Sequence, residues 1–232
     1  MREFFEPFAP NLAAYWKQFT DALKATFKMF FIAGAIAFAL GFFFGVLLTV
    51  TKPGGIRENK PVYRFVDLVI NVFRSIPFVI LLIFLIPFTR AIVGTAIGVK
   101  GAIIPLVFGC VPFFTRQVES ALSNIDPGKI EAARAMGSGT MGIIFRVMIH
   151  EAVPDLIRAA TITSISLIGL TTMAGAVGAG GIGSFAINYG QSLHYQDIVN
   201  VCVVILLLLV TFIQTLGNVL SRKTTNRKLF SK

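Results

Sequence analysis

Of 232 residues, 55% are hydrophobic and only 14% charged, against about 25% charged in an ordinary soluble domain, and the mean hydropathy is +0.79. That balance describes a membrane protein, so the net charge of +10 is assigned to membrane topology rather than to a nucleic-acid surface. At roughly 20 apolar residues per crossing, five or six spans use up the length, which excludes a fused catalytic or ATP-binding module. Cys110 and Cys202 lie inside apolar runs and read as small buried hydrophobes, not as a disulfide or a metal site.

The N-terminus, Met1-Arg2-Glu3-Phe4-Phe5-Glu6 with prolines at 7 and 10, lacks the basic-then-apolar layout of a cleaved signal, so the mature chain is expected to begin near Met1. Trp16, Phe19, Leu23 and Phe27 recur around Lys17, Asp21 and Lys24. Two readings fit this pattern: an amphipathic helix lying in the outer interface, or a helical extension of the first span. Span one is the uncharged run Met29 to Val50. Span two covers about Tyr63 to Thr89, with Asp67 and Arg74 early and Pro77 and Pro87 within it; span three covers about Gly101 to Leu122. From Ala159 to Gln196 there is no Asp, Glu, Lys or Arg, too long a stretch for one crossing. The glycines at 175, 178, 180, 181 and 183 are expected to interrupt it, ending span four (about Asp155 to Ala176). Ser184 to Asp197 reads as a loop with one short helix, and Ile198 to Leu220 is span five. The domain plan is therefore an external or interfacial segment 1–28, a transmembrane domain 29–221 and a basic tail 222–232.

Five spans place the termini on opposite sides. Lys52, Arg57, Lys60, Arg64, Arg116, Lys129, Arg134, Arg146 and the five tail cations make thirteen on one side, against six on the other (Arg2, Lys17, Lys24, Lys28, Arg90, Lys100). The positive-inside rule then puts the N-terminus outside and the C-terminus in the cytoplasm.

The one long polar insertion between spans is Ser123 to Asp155. Asp126 can cap a helix, Pro127 suits its first position, and Gly137 with Gly139 can end it, giving a short cytoplasmic helix over about 127–136. Ile130, Ala133, Arg134 and Gly137 recur at helical spacing as a small, knob-like face. Such a face suits a groove on a partner, while packing on its own protein or on headgroups is the alternative.

Glu131-Ala132-Ala133, three residues, then Gly137 resembles the EAA motif of ABC importer permeases. In that family the motif forms a coupling helix seated in the ATPase subunit, which implies that role for Ile130, Glu131, Ala132, Ala133, Arg134 and Gly137. The family pattern continues to an Ile-x-Leu-Pro run; here it reads Val147-Met148-Ile149-His150, with Pro154 four residues on, a departure that leaves open where the coupling segment gives way to span four. Phe73-Arg74-Ser75-Ile76-Pro77-Phe78, Ile86-Pro87-Phe88-Thr89-Arg90 and Ala174-Gly175-Ala176-Val177-Gly178-Ala179-Gly180-Gly181 are similar to the methionine importer permeases.

The resemblance implies an all-α integral membrane protein of the type I ABC importer permease fold, with five transmembrane helices and a coupling helix between spans three and four. It further implies a homodimer in the bacterial inner membrane, in contact with lipid, two separate ATP-binding cassette subunits, and an extracytoplasmic binding protein or lipoprotein that delivers L- or D-methionine. No cofactor or metal is implied in this chain, since ATP and Mg belong to the ATPase; Gly137-Ser138-Gly139-Thr140-Met141-Gly142 lacks the lysine of a phosphate-binding loop. The chain is then a transport subunit without a catalytic residue. Another small amino acid or a methionine derivative is the alternative cargo, and an ion-coupled secondary transporter the alternative class. The latter needs titratable groups in mid-span, and spans one, three and five offer almost none.

By the same resemblance Met173, among the small residues Thr171, Thr172, Ala174 and Gly175, is a candidate gate; filling a helix-packing gap is the alternative. Asp67 and Arg74 share a helix face, and Arg116 with Glu119 and Asp155 with Arg158 are spaced as side-by-side pairs. His150 and His194 fall on opposite expected sides and form no shared metal site.

Overall fold

The computed structural model describes residues 8–230, with side chains through Thr225. The expected start near Met1, the cation Arg2, the side chains of Arg227 and Lys228, and Lys232 lie outside the described residues. The elements, all helical among the described residues, are α1 (Pro10–Ala14), α2 (Trp16–Thr51), α3 (Lys60–Ser75), α4 (Phe78–Phe84), α5 (Ile86–Val93), α6 (Gly98–Ser123), α7 (Pro127–Ala135), α8 (His150–Ala174), α9 (Gly181–Phe185) and α10 (Gln196–Phe230). Among the described residues four helical runs are long and apolar enough to cross a membrane: Trp16–Thr51, Gly98–Ser123, Thr140–Ala179 and Gln196–Thr225. A fifth exists if α3 and α4 are taken as one broken span.

Several elements differ from the sequence expectation for identifiable reasons. Trp16 to Thr51 contains no proline and forms one unbroken helix of 36 residues, so the amphipathic N-terminal stretch is an extension of span one. The expected second span is in three pieces. Pro77 excludes its predecessor from the α region and sits at φ −56, ψ 134 ahead of α4, and the chain bends again at Leu85, where ψ is −1, before α5. The expected loop from Ser184 is mostly helical, because Ile182 and Phe185 are buried in a core and hold the backbone there.

The contacts of the chain fall into two compact units, and α2, α6, α8 and α10 each contribute to both. The first comprises the chain up to Ile36, Ile76–Gly109 and Ser164–Ile213. Its core gathers Leu12, Phe19, Ile182, Phe185, Ile198 and Cys202. Asn11 clips α1 to the start of α10: its N–H and side-chain amide both donate to the Asp197 carboxylate, at 3.0 and 3.1 Å. The glycine cluster interrupts the helix where expected, with Val177 at φ −108 and Gly178 at φ 97. Beyond it, the backbone N–H of Ile182 donates to the buried Thr26 hydroxyl at 2.8 Å.

The second unit comprises Ala37–Ser75, Cys110–Thr163 and Gln214 onward. Its core is built on Phe114, Val118, Leu122, Ala133, Ile143 and Met148. Gly41 and Gly45, four residues apart on α2, let α6 approach: a Cβ at Gly41 would stand 2.8 Å from Phe114 Cδ1, and one at Gly45 2.6 Å from Val118 Cβ. Such small residues at turn spacing compensate for the weak hydrophobic drive between helices in lipid.

Candidate functional site

The short helix α7 is closed at both ends by its own residues. The Asp126 side chain accepts from the Gly128 N–H at 2.8 Å, the capping bond anticipated from its position, and caps of this kind contribute about 1 kcal/mol. At the other end Gly137 takes φ +81. This turns the chain so that the Gly137 N–H reaches Arg134 O (2.9 Å) and the Ser138 N–H reaches Ala133 O (3.0 Å), the paired bonds of a Schellman cap. Gly139, expected to share that task, is extended at φ −69.

One face of α7 is fixed to its own unit. Ala133 is buried and Ile130 half-buried against Ile143, Ile144 and Met148. Two polar links reinforce the position, Lys129 Nζ to Glu151 Oε2 at 2.8 Å and an Arg134 guanidinium N–H to Ile56 O at 3.5 Å, while Lys52 Nζ to Ser123 Oγ at 3.0 Å joins the end of α2 to the end of α6 nearby. The loop that receives Arg134 is itself ordered by Gly55 N–H to Lys52 O (2.8 Å) and Arg57 N–H to Val50 O (3.1 Å). Glu58 closes it by accepting from the Gly54 N–H at 2.9 Å, and that bond, with Lys60 beside it, holds the Glu58 carboxyl below the usual range. A cavity of about 310 Å³ remains under the helix, with Lys52, Ile56, Glu131 and Arg134 in its lining.

Of the six residues singled out on this helix, Ile130 and Ala133 therefore point inward, while Glu131, Ala132, Arg134 and Gly137 are exposed. The outward apolar residues are ones the sequence pattern did not mark: Met136, Met141 and Phe145, each more than 60% exposed. Helical periodicity groups residues by face but cannot say which face meets the molecule's own core.

The chain that carries this doubly capped, core-anchored helix is matched by a family model. Residues 38–226 fit the binding-protein-dependent transport system inner membrane component. The chain belongs to this family. Its relatives include the probable D-methionine transport system permease protein MetI of Vibrio cholerae, 44% identical over 202 residues covering 87% of this chain and 90% of the relative. The methionine import system permease protein MetP of Bacillus subtilis is 45% identical over 175 residues, 75% and 79% of the two chains. Among solved structures, an inward-facing MetNI methionine ABC transporter aligns with TM-score 0.88 at 45% identity, covering 91% of this chain and 98% of the other.

In this inner membrane component, the chain is helical without a break through His150 and Pro154. His150, lacking the proline of the family pattern, has an N–H that it donates to Val147 O. Pro154 lies inside α8, and its carbonyl accepts from the Ser221 hydroxyl at 3.2 Å.

Met173, the candidate gate, is half-exposed near the end of α8, within the first unit. Two glycines beyond it stand where no side chain fits. A Cβ at Gly175 would stand 2.7 Å from the Ser184 nitrogen, and one at Gly183 would overlap the Thr172 carbonyl. Of the expected ion pairs, Arg116 with Glu119 (2.6 Å) and Arg158 with Asp155 (3.1 Å) are formed. Asp67 does not pair with Arg74; it binds Arg116, which also donates to Asn71 at 2.8 Å. Among the described residues no group of three or more His, Cys, Asp or Glu comes together as a metal site.

Proposed function

We propose that this inner membrane component is the permease subunit of an ATP-driven ABC importer, and that two copies form a pathway for L- or D-methionine. Identity of 44% over nine-tenths of a D-methionine permease supports the cargo, and the alignment with a methionine ABC transporter supports the class. The observation that carries the reading is the anchored helix α7. Its ends are satisfied internally and its inner face is buried, so a push on its exposed residues is passed to α8 rather than absorbed by fraying.

In this reading α7 is the coupling helix. Glu131, Ala132, Arg134 and Gly137, flanked by the exposed Met136, meet a separate ATPase subunit that binds ATP and Mg; Ile130 and Ala133 transmit the movement into the core. Met173 narrows the pathway as its gate. The permease performs no bond chemistry: it offers two conformations whose relative stability partners and cargo shift. The α7 side faces the cytoplasm, the N-terminus lies outside, and an external binding protein supplies the cargo.

The test is reconstitution of this chain with its ATPase and binding protein in proteoliposomes. ATP-dependent uptake of labelled L-methionine, competed by D-methionine above other amino acids, is the expected result. Uptake that follows an ion gradient and ignores the ATPase overturns it.

A further inference from the structure

In the second unit, Arg74, Phe113, Arg116, Gln117 and Ser120 line a half-open cavity of about 240 Å³. We propose that it is an oxyanion site, taking a carboxylate or phosphate oxygen attached to an apolar body. Its polar lining is rich in donors: a guanidinium from each arginine, the Gln117 amide and the Ser120 hydroxyl. Arg74, Gln117 and Ser120 make no side-chain hydrogen bond or ion pair among the described residues. Arg116 is different. Its two terminal nitrogens are held by Glu119, Asp67 and Asn71, while its Nε is buried with no acceptor.

This division sets the local electrostatics. Asp67 and Glu119 both bind Arg116, which offsets one of their two charges, and Arg74 offsets the other, so the cluster is neutral and the donors of the lining, not a net charge, favour an oxyanion. A guanidinium can grip a carboxylate or phosphate with two parallel bonds, and Gln117 and Ser120 stand beside it as neutral donors. Phe113 supplies the apolar wall that selects an amphiphile over a simple ion. Neither Asp67 nor Glu119 is among the lining residues.

Two sources carry this chemistry: the carboxylate of an amino-acid cargo, an arm that rests on the importer reading, and the phosphate of an anionic lipid headgroup, an arm that does not. The full chain in nanodiscs would be tested by binding of labelled L-methionine with methioninol, which lacks the carboxylate, as competitor. Native mass spectrometry would compare phosphatidylglycerol with phosphatidylcholine. We expect a preference of at least roughly tenfold for one anionic probe over its partner, reduced by about tenfold in Arg74→Gln and only partly kept in Arg74→Lys, which retains the charge without the two-bond grip. Arg74→Gln leaves the Arg116 cluster untouched, so the fold is preserved and circular dichroism checks it. Methionine selectivity assigns the cargo arm, and phosphatidylglycerol selectivity the lipid arm. The absence of either preference, or a preference unchanged in Arg74→Gln, overturns the site. Failure of ATP-dependent uptake is a separate result that removes only the importer reading.

Discussion

Lys129 on α7 and Glu151 in the first turn of α8 are joined by an ion pair of 2.8 Å, across 22 residues of chain that include the cap of one helix and the approach to the next. The pair is partly exposed and contributes little to stability, in the range of 0.2–1 kcal/mol for such contacts. In the proposed coupling role its value is directional, because it links α7 to the first turn of α8. Lys129→Glu is expected to lower methionine uptake per ATP hydrolysed by about two- to fivefold with little change in melting temperature, the factor that up to 1 kcal/mol corresponds to. The exchange Lys129→Glu with Glu151→Lys should restore the ratio. A double exchange as impaired as the single one would show that the pair carries no coupling.

Gly137 is the second point at which α7 can be tested. At φ +81 an alanine costs about 1 kcal/mol or more, and the carbonyls of Ala133 and Arg134 lose the partners that the turn supplies. Gly137→Ala is expected to cut coupled uptake several-fold while the membrane helices keep their thermal stability, since the turn lies at an exposed end. Asp126→Ala, which removes the opposite cap at a cost of about 1 kcal/mol, should act in the same direction. Uptake measured beside ATPase activity separates a loosened helix from a lost complex.

The legibility of these features followed their range along the chain. The short helix α7 could be read because its signals are local: Asp126, Pro127 and Gly137 each act within a turn of their own position. The glycine interruption after α8 was legible for the same reason. The partners of Arg116 were half legible, Glu119 at three residues and Asp67 at 49, because only helical spacing brings residues together predictably. The broken second span was written in Pro77, but an apolar run of the right length outweighed it. Which face of α7 is buried depends on Ile143, Ile144 and Met148, whose placement is tertiary.

Thr26 offers a test of how the interrupted region is held. Its hydroxyl receives the Ile182 N–H at 2.8 Å and donates to Ala22 O at 3.1 Å, both in a buried setting. Thr26→Ala leaves that N–H without an acceptor, which costs about 1–3 kcal/mol. Thr26→Ser keeps the bond and should recover most of the loss. Thermal unfolding of the two variants in the same lipid distinguishes the hydrogen bond from the missing methyl group.

Met173 is the place where a pathway residue can be separated from a packing residue by the size of two effects. Half of its surface is exposed, so truncation forfeits only part of the 2–5 kcal/mol that a buried methionine loses on becoming alanine. A side chain that merely fills a gap would give Met173→Ala a small loss of stability and no leak. A gate would give the same small loss together with methionine efflux from loaded vesicles in the absence of ATP, and Met173→Leu, similar in volume, would remain closed. We expect the leak in the alanine variant and not in the leucine variant, measured as label lost over time from vesicles containing the assembled transporter. Equal retention in both assigns Met173 to packing and leaves the gate to other residues of the pathway.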